Sequence, residues 1–152
     1  MLPDCLAEIP AAKALADLAT GGNNEFGEVT VEVAAPGITD ALRRLKEMRY
    51  ERLTSVTGVD RYPAEPRFEI VYHLQSIARK ERIRVKVRIS GANPEIETAC
   101  GIYRSADWYE RETFDLFGVR FTGHPNMTRI MMPDDWEGHP LRKDYPVTGM
   151  RY

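Results

Sequence analysis

Residues 82–89, RIRVKVRI, alternate without a fault. Ile83, Val85, Val87 and Ile89 fall on one side of an extended chain, and Arg82, Arg84, Lys86 and Arg88 on the other, because successive strand side chains point to opposite faces. The segment therefore commits to a strand with one dry face and one cationic face. Residues 67–74, RFEIVYHL, place Phe68, Ile70, Tyr72 and Leu74 on one face in the same way. The short connection between the two makes an antiparallel hairpin the natural pairing.

The rest of the chain supplies the layers around that hairpin. Residues 4–19 read as a short amphipathic helix anchored by Leu6, Leu15 and Leu18 and stopped by Gly21-Gly22. Residues 26–34 alternate through Val29, Val31 and Val33, a strand. From 38 to 49, Ile38, Leu42, Leu45 and Met48 recur at helical spacing, with Arg43, Arg44, Lys46 and Glu47 on the wet side. Residues 52–59 are β-branched and extended. A short helix is expected over 95–103 and a stronger one over 106–117, stopped by Gly118. The expected fold is α+β: an open, largely antiparallel four-stranded sheet with helices on one face, occupying residues 1–118. Pro125, Pro133, Pro140 and Pro146 then forbid a long helix or a central strand. Residues 119–152 are expected to form an irregular, proline-rich extension that docks on partner subunits.

A chain of 152 residues fits one domain and buries roughly 68–70% of its unfolded surface. Net charge is −2, so no global field draws it to nucleic acid or a membrane. Cys5 and Cys100 lack CxxC spacing and are too few for an iron–sulfur cluster or a structural zinc site. No apolar run approaches the roughly 18–20 residues of a membrane span, and the acidic start does not read as a secretory signal. Neither GxGxxG, GxxxxGK[ST] nor GxSxG occurs.

Chemistry concentrates in residues 110–146, where Gly-His-Pro occurs twice, at 123–125 and 138–140. On a wheel of the helix DWYERETFDLFG, Tyr109, Thr113, Phe114, Leu116 and Phe117 share an arc, with Trp108, Arg111, Glu112 and Asp115 opposite. Glu110 falls inside the apolar arc. A carboxylate there must be paired, hydrogen-bonded or protonated. It reads first as a structural group using the helix start and a nearby arginine, then as an intersubunit ion pair, and last as an acid/base catalyst. Arg111 stands four residues before Asp115 and offers it an ordinary ion pair. His73, His124 and His139 lack the spacing of a helical metal pair. In each Gly-His-Pro the proline extends the histidine and the glycine permits a turn, so paired turn positions are a better reading than metal binding. The basic run 79–88 suits a solvated face or an acidic protein partner better than nucleic acid, since no aromatic side chain is interleaved for base stacking.

The block ERETFDLFGVRFTGHPNMTRIMM, residues 110–132, resembles the signature of the C subunit (the 30 kDa family) of proton-pumping NADH–quinone oxidoreductase, respiratory complex I. DDWEGHPLRKDYP is similar to the segment that follows it there, and LTSVTGVD, FEIVYHL and NPEIETA stand in the expected order. Thr128 departs from the basic residue or proline common in the family. The likeness spans residues 38–148 and fits the short, unfused form. The resemblance implies a peripheral-arm protein with no catalytic residue, cofactor or metal of its own; NAD, quinone, FMN and iron–sulfur clusters would belong to other subunits. It implies packing beside the D subunit near the quinone site, with other peripheral-arm subunits as neighbours, on the cytoplasmic face of the bacterial inner membrane, held through the complex without a span of its own. Glu110, Arg111 and Asp115 would organise the junction. His124, Trp136, His139, Pro140, Arg142, Lys143 and Tyr145 would anchor the tail on partners, Trp, Tyr and Arg being enriched at binding hot spots.

Alternatives within that class are the matching subunit of a membrane-bound hydrogenase, a coenzyme-dependent dehydrogenase or the photosynthetic complex. Outside it stand a small nucleic-acid-binding domain using the basic strand and a metal hydrolase using the histidines and carboxylates.

Overall fold

The most regular alternating segments become the middle of a sheet. The computed structural model describes residues 3–6 and 8–149; residues 1–2 and 150–152, at the outer ends of the two expected domains, and residue 7 of the expected first helix lie outside the described residues. In chain order the elements are α1 (Pro10–Ala14), β1 (Ala19–Glu25), β2 (Glu28–Val33), α2 (Ile38–Glu47), β3 (Arg52–Asp60), β4 (Phe68–Ser76), β5 (Glu81–Ile89), β6 (Glu95–Glu97), α3 (Ala106–Phe117) and β7 (Arg120–Thr122).

The main sheet runs β1-β2-β5-β4-β3. Every pairing is antiparallel except β2 with β5, which is parallel. The β4–β5 hairpin keeps one register from Phe68↔Ile89 to Ser76↔Glu81. Phe68, Ile70, Tyr72 and Leu74 meet Ile83, Val85, Val87 and Ile89 on the dry face, all buried. Leu42 and Leu45 of α2, Ala11 and Ala12 of α1, and Ala106 of α3 join them in one core. The mixed α+β class with helices over one face of a largely antiparallel sheet is thus realised.

Three local expectations change. The sheet has five strands, because residues 19–25, expected to end a helix, form the edge strand β1. A two-residue turn at Phe26-Gly27, both left-handed at φ 56° and 78°, folds β1 onto β2, and such turns match the twist of a hairpin. The expected helix over 4–19 is broken into a single 3-10 turn at Asp4–Leu6 and the five residues of α1, the latter begun by Pro10 at the first helical position, where proline's missing N–H costs nothing. Leu6 and Leu15 are still fully buried and Leu18 is partly so. The expected helix at 95–103 is instead β6 followed by a turn. Its parallel pairing with β7 is continued by Arg120 N–H to Pro94 O and Thr98 N–H to Thr122 O.

Val119 and Phe121 belong to the core, so the irregular segment begins at Gly123. No helix or strand occurs among the described residues beyond Thr122, as the prolines require. That segment crosses the open end of α3, and the chemistry-bearing side chains collect there.

Candidate functional site

Helix α3 carries two carboxylates with no solvent exposure, Glu110 and Asp115. They face different parts of the chain: Glu110 is met by the turn after β6 with His124 nearby, and Asp115 by the irregular segment.

Glu110 receives the turn after β6. The Thr98 hydroxyl and the Ala99 N–H donate to it, the latter at 2.6 Å, and the Cys100 thiol lies at 3.4 Å. Burial raises the Glu110 carboxyl above its ordinary value, with the Thr98, Ala99 and Cys100 hydrogen bonds and nearby His124 opposing the rise. The expected arginine partner is absent: no arginine lies within ion-pair reach of Glu110 among the described residues. Neutral donors satisfy it instead.

His124, in the first Gly-His-Pro, has a fully buried side chain with Nε2 3.9 Å from Glu110 and 3.1 Å from the Asp107 carboxylate. Its Nδ1 accepts the Asn126 N–H at 2.9 Å. In the neutral ring this leaves the proton on Nε2, which donates to the Asp107 carbonyl at 3.2 Å. Cys100, Glu110 and His124 are the described groups whose ligand atoms gather closely enough to hold a metal ion, all within 4.8 Å of one another. In the structure they form a cluster in which the Cys100 thiol, pushed up to about 11 by burial, donates a hydrogen bond to Glu110 at 3.4 Å.

Asp115 receives the second part of the segment. Its Oδ1 takes the Arg129 guanidinium at 2.8 Å. Its Oδ2 takes three consecutive N–H groups, Ile130 at 3.1, Met131 at 2.7 and Met132 at 2.9 Å. Burial alone would push this carboxyl up; the Met132, Met131, Arg129 and Ile130 donors outweigh it and hold the group below the usual carboxylate range. The expected Arg111–Asp115 pair therefore does not form. Arg111 turns to the Thr128 carbonyl and hydroxyl and the Arg129 carbonyl, with its guanidinium 4.9 Å over the Trp108 ring. Asp115, expected on the wet side of the helix, is buried because the tail returns over it.

The tail then caps the helix. The last turn of an α-helix leaves carbonyls without partners inside the helix. Here His139 Nδ1 donates to Asp115 O at 2.9 Å, Leu141 N–H to Leu116 O at 3.0 Å and Arg142 Nε to Phe117 O at 2.6 Å. Gly118, left-handed at φ 77°, donates its N–H to Phe114 O. A Cβ on Gly118 would sit 2.6 Å from Arg142 Nη2 and 2.7 Å from His139 Cδ2. Gly123 and Gly138, at φ 82° and 85°, make the turn before each histidine, so the two Gly-His-Pro units are paired turns at different points along one helix. The His139 ring meets Phe114 edge-on, centroids 6.1 Å apart, and burial lowers its proton affinity, aided by Arg142 and Arg129. It serves as a neutral donor.

Beyond the cap, the tail is fastened to the end of the sheet. Arg67, between β3 and β4, holds Asp60 through two nitrogens at 2.8 Å each and reaches Asp144 at 2.8 Å. Asp60 Oδ2 also accepts the Lys143 N–H at 2.8 Å. Hydrogen bonding to Arg67 is the main reason both aspartates are held below the usual range.

Of the residues expected to meet partners, Glu110, Asp115 and His124 are thus turned inward, and Arg111, His139 and Arg142 are spent on the chain's own backbone. Trp136, Pro140 and Tyr145 are half-buried and Lys143 is exposed. Sequence reasoning missed Arg129, Thr98 and the Asp60–Arg67–Asp144 set, whose partners lie 14, 12 and up to 77 residues apart; no local spacing signals such pairs. Trp108, Met131 and Leu141 face outward, Trp108 on the side of the helix wheel opposite the apolar arc, as expected; they are 59%, 66% and 52% exposed.

Closely similar sequences and folds occur in known proteins. The sequence profile of the family described as respiratory-chain NADH dehydrogenase, 30 Kd subunit, matches residues 31–151. A protein of Citrifermentans bemidjiense, named as the C subunit of NADH-quinone oxidoreductase, is 52% identical over 124 residues, covering 81% of this chain and 77% of its own. One of the same name from Roseiflexus castenholzii is 47% identical over 148 residues, 95% of this chain and 84% of its own. Among solved structures, the Nqo5 trypsin-resistant fragment superposes with a TM-score of 0.69 at 28% identity, covering 75% of this chain and 93% of that one. A chain of the membrane-bound sulfane sulfur reductase, an archaeal respiratory membrane complex, gives 0.77 at 32% identity, covering 89% and 82%.

Proposed function

The chain belongs to the respiratory-chain NADH dehydrogenase 30 Kd subunit family, and from that premise we propose that it is a structural subunit of the peripheral arm that performs no chemistry itself. In this reading NAD, FMN, iron–sulfur clusters and quinone are bound by other subunits, and this chain packs beside the D subunit near the quinone site on the cytoplasmic face of the membrane. No described helix is long and apolar enough to cross a membrane; in this reading attachment runs through protein neighbours.

The observation that carries the reading is how the polar groups of α3 are spent. Glu110 and Asp115 are saturated by Thr98, Ala99, Arg129 and three backbone N–H groups. Neither presents a free carboxylate to a substrate; Glu110 holds the turn after β6 in shape and Asp115 holds the strap. Outward, α3 and the strap expose the large apolar side chains Trp108, Met131 and Leu141 among the charged groups Glu112, Asp134, Asp135, Glu137 and Lys143. Exposed apolar side chains set among polar ones suit a contact between proteins.

Purification of the native protein through an affinity tag, with its companions identified by mass spectrometry, tests this. The chain is expected to arrive with a flavin- and cluster-bearing assembly that oxidises NADH and reduces quinone. Isolation as a free monomer with its own hydrolase activity, or with stoichiometric zinc lost in His124→Ala, overturns the reading. The likeness to the sulfane sulfur reductase chain favours one second reading, the equivalent subunit of a related respiratory complex. An assembly that carries clusters but fails to oxidise NADH would select it.

A further inference from the structure

The face of the main sheet turned away from the helices is not uniform in charge. At one end Glu69 neutralises Arg61 at 2.9 Å and Lys86 at 3.3 Å. At the other end the strand register lays Arg52 of β3, Gln75 of β4 and Arg82 of β5 in one row. The next row is a hydrogen-bonded chain across four strands. Ser55 Oγ and His73 Nδ1 are 2.9 Å apart, Arg84 Nε meets His73 Nε2 at 3.1 Å, and Arg84 Nη1 reaches Thr30 Oγ1 at 3.5 Å. Glu28 is the acid of this end, and Arg84 consumes it. Among the described residues no carboxylate lies within ion-pair reach of Arg52 or Arg82, and both are exposed. The two rows floor a groove of about 530 Å³.

We propose that this groove, floored by the Ser55–His73–Arg84 row and flanked by Arg52 and Arg82, is the docking site for an extended acidic segment of a neighbouring protein in the assembly. The inference rests on the reading of the chain as part of a respiratory assembly and adds a surface and a partner chemistry to it. Arg52 and Arg82 stand two strand spacings apart, about 9.6 Å, and long arginine side chains lean inward readily over that span. Two carboxylates at alternate positions of an extended peptide are about 7 Å apart, which places one under each guanidinium in a two-pronged contact. The floor supplies the Gln75 amide and the remaining acceptor lone pairs of Ser55 and Thr54, whose hydroxyls meet His73, polar groups that suit peptide backbone. A nucleic-acid strand finds no run of aromatic side chains to stack on there: the groove is lined by a single ring, His73. The surroundings of His73 agree with unneutralised positive charge. Burial, then Arg84, Arg82 and Lys86, lower its proton affinity, opposed by Glu28.

The test uses the full complex and the isolated chain side by side. Arg52→Glu with Arg82→Glu, introduced into cells lacking the wild-type chain, is expected to lower retention of the protein in the purified assembly at least tenfold as salt is raised. The isolated double variant should keep its melting temperature. In the isolated wild-type chain an oligoglutamate peptide should bind and raise the His73 titration midpoint seen by NMR, and the variant should show neither effect. If charge reversal unfolds the chain, Arg52→Gln with Arg82→Gln carries the same comparison. Assembly of the variant with wild-type salt tolerance overturns the docking site while leaving the family reading intact. Failure of the wild-type chain itself to co-purify sinks the assembly reading instead. Tighter binding of a single-stranded oligonucleotide than of oligoglutamate would assign the groove to nucleic acid and overturn the proposal.

Discussion

Two buried carboxylates five positions apart on one helix are tuned in opposite directions: burial prevails at Glu110, whereas at Asp115 the Met132, Met131, Arg129 and Ile130 donors together outweigh it. Asp115 has a guanidinium and three backbone N–H groups; Glu110 has a hydroxyl, one N–H and a thiol. Breaking a buried, hydrogen-bonded ion pair by removing one partner costs on the order of 3–5 kcal/mol, so Asp115→Ala is expected to destabilise the isolated chain by about that amount in urea melts. The pH dependence separates the two sites. A carboxyl lowered in the folded state stabilises the fold above its unfolded value and loses that contribution as pH falls through the folded value. Asp115→Asn should therefore be close to wild type in strong acid and much weaker above about pH 4. A carboxyl raised in the folded state does the reverse: its ionisation works against folding once pH exceeds its unfolded value. Glu110→Gln should gain stability relative to wild type as pH rises above about 4.3. Urea titrations of the three proteins between acid and neutral pH decide both; parallel curves for the two variants would refute the opposed tuning.

At the scale of elements, α3 shows what a sequence can and cannot disclose. Its extent, its stop at Gly118 and the anomaly of Glu110 follow from periodicity alone. Its C-cap does not, because the groups that satisfy its last carbonyls come from residues 139–142, more than twenty positions on. The wheel puts Asp115 on the solvent side for the same reason: a wheel represents one helix and not what lies over it. The same limit explains the strands. β4 and β5 carry their own alternation, whereas β1 is Ala-Thr-Gly-Gly-Asn-Asn-Glu, with no apolar period, and exists because β2 offers an edge and Phe26-Gly27 makes the turn. β6 reads as helical until β7 supplies its partner. A substitution at the cap tests whether helix and tail form one unit. In Gly118→Ala a left-handed φ is imposed on a residue with a Cβ, costing roughly 1–2 kcal/mol, and the new methyl displaces His139 and Arg142. Hydrogen exchange should show the Gly118 and Leu141 amides losing protection together. Loss confined to residue 118 would mean that the tail is held without the cap.

Over the whole molecule, the strap resolves an apparent contradiction. A proline-rich segment lacking regular structure is expected to find its order on a partner, yet His139, Arg142, Lys143 and Asp144 fasten it to its own chain through α3, Asp60 and Arg67. The polar anchors build the surface, and the apolar side chains they leave outside are what a neighbour would cover. The two roles predict separable defects. Met131→Glu and Leu141→Glu alter exposed side chains, and surface substitutions of this kind usually change stability by within about 0.5 kcal/mol. In the complex each places a charge in a contact that should be desolvated, so retention of the chain through a salt-wash of the purified assembly should fall by roughly tenfold, about 1.4 kcal/mol. Asp115→Ala should show the converse order of events, the isolated chain melting early and the assembly failing because the strap is gone. Comparing melting temperature with retention across the three variants separates building the surface from using it. If Met131→Glu and Leu141→Glu leave retention unchanged, the outward face of the strap is not the contact, and the partner must be sought on the sheet.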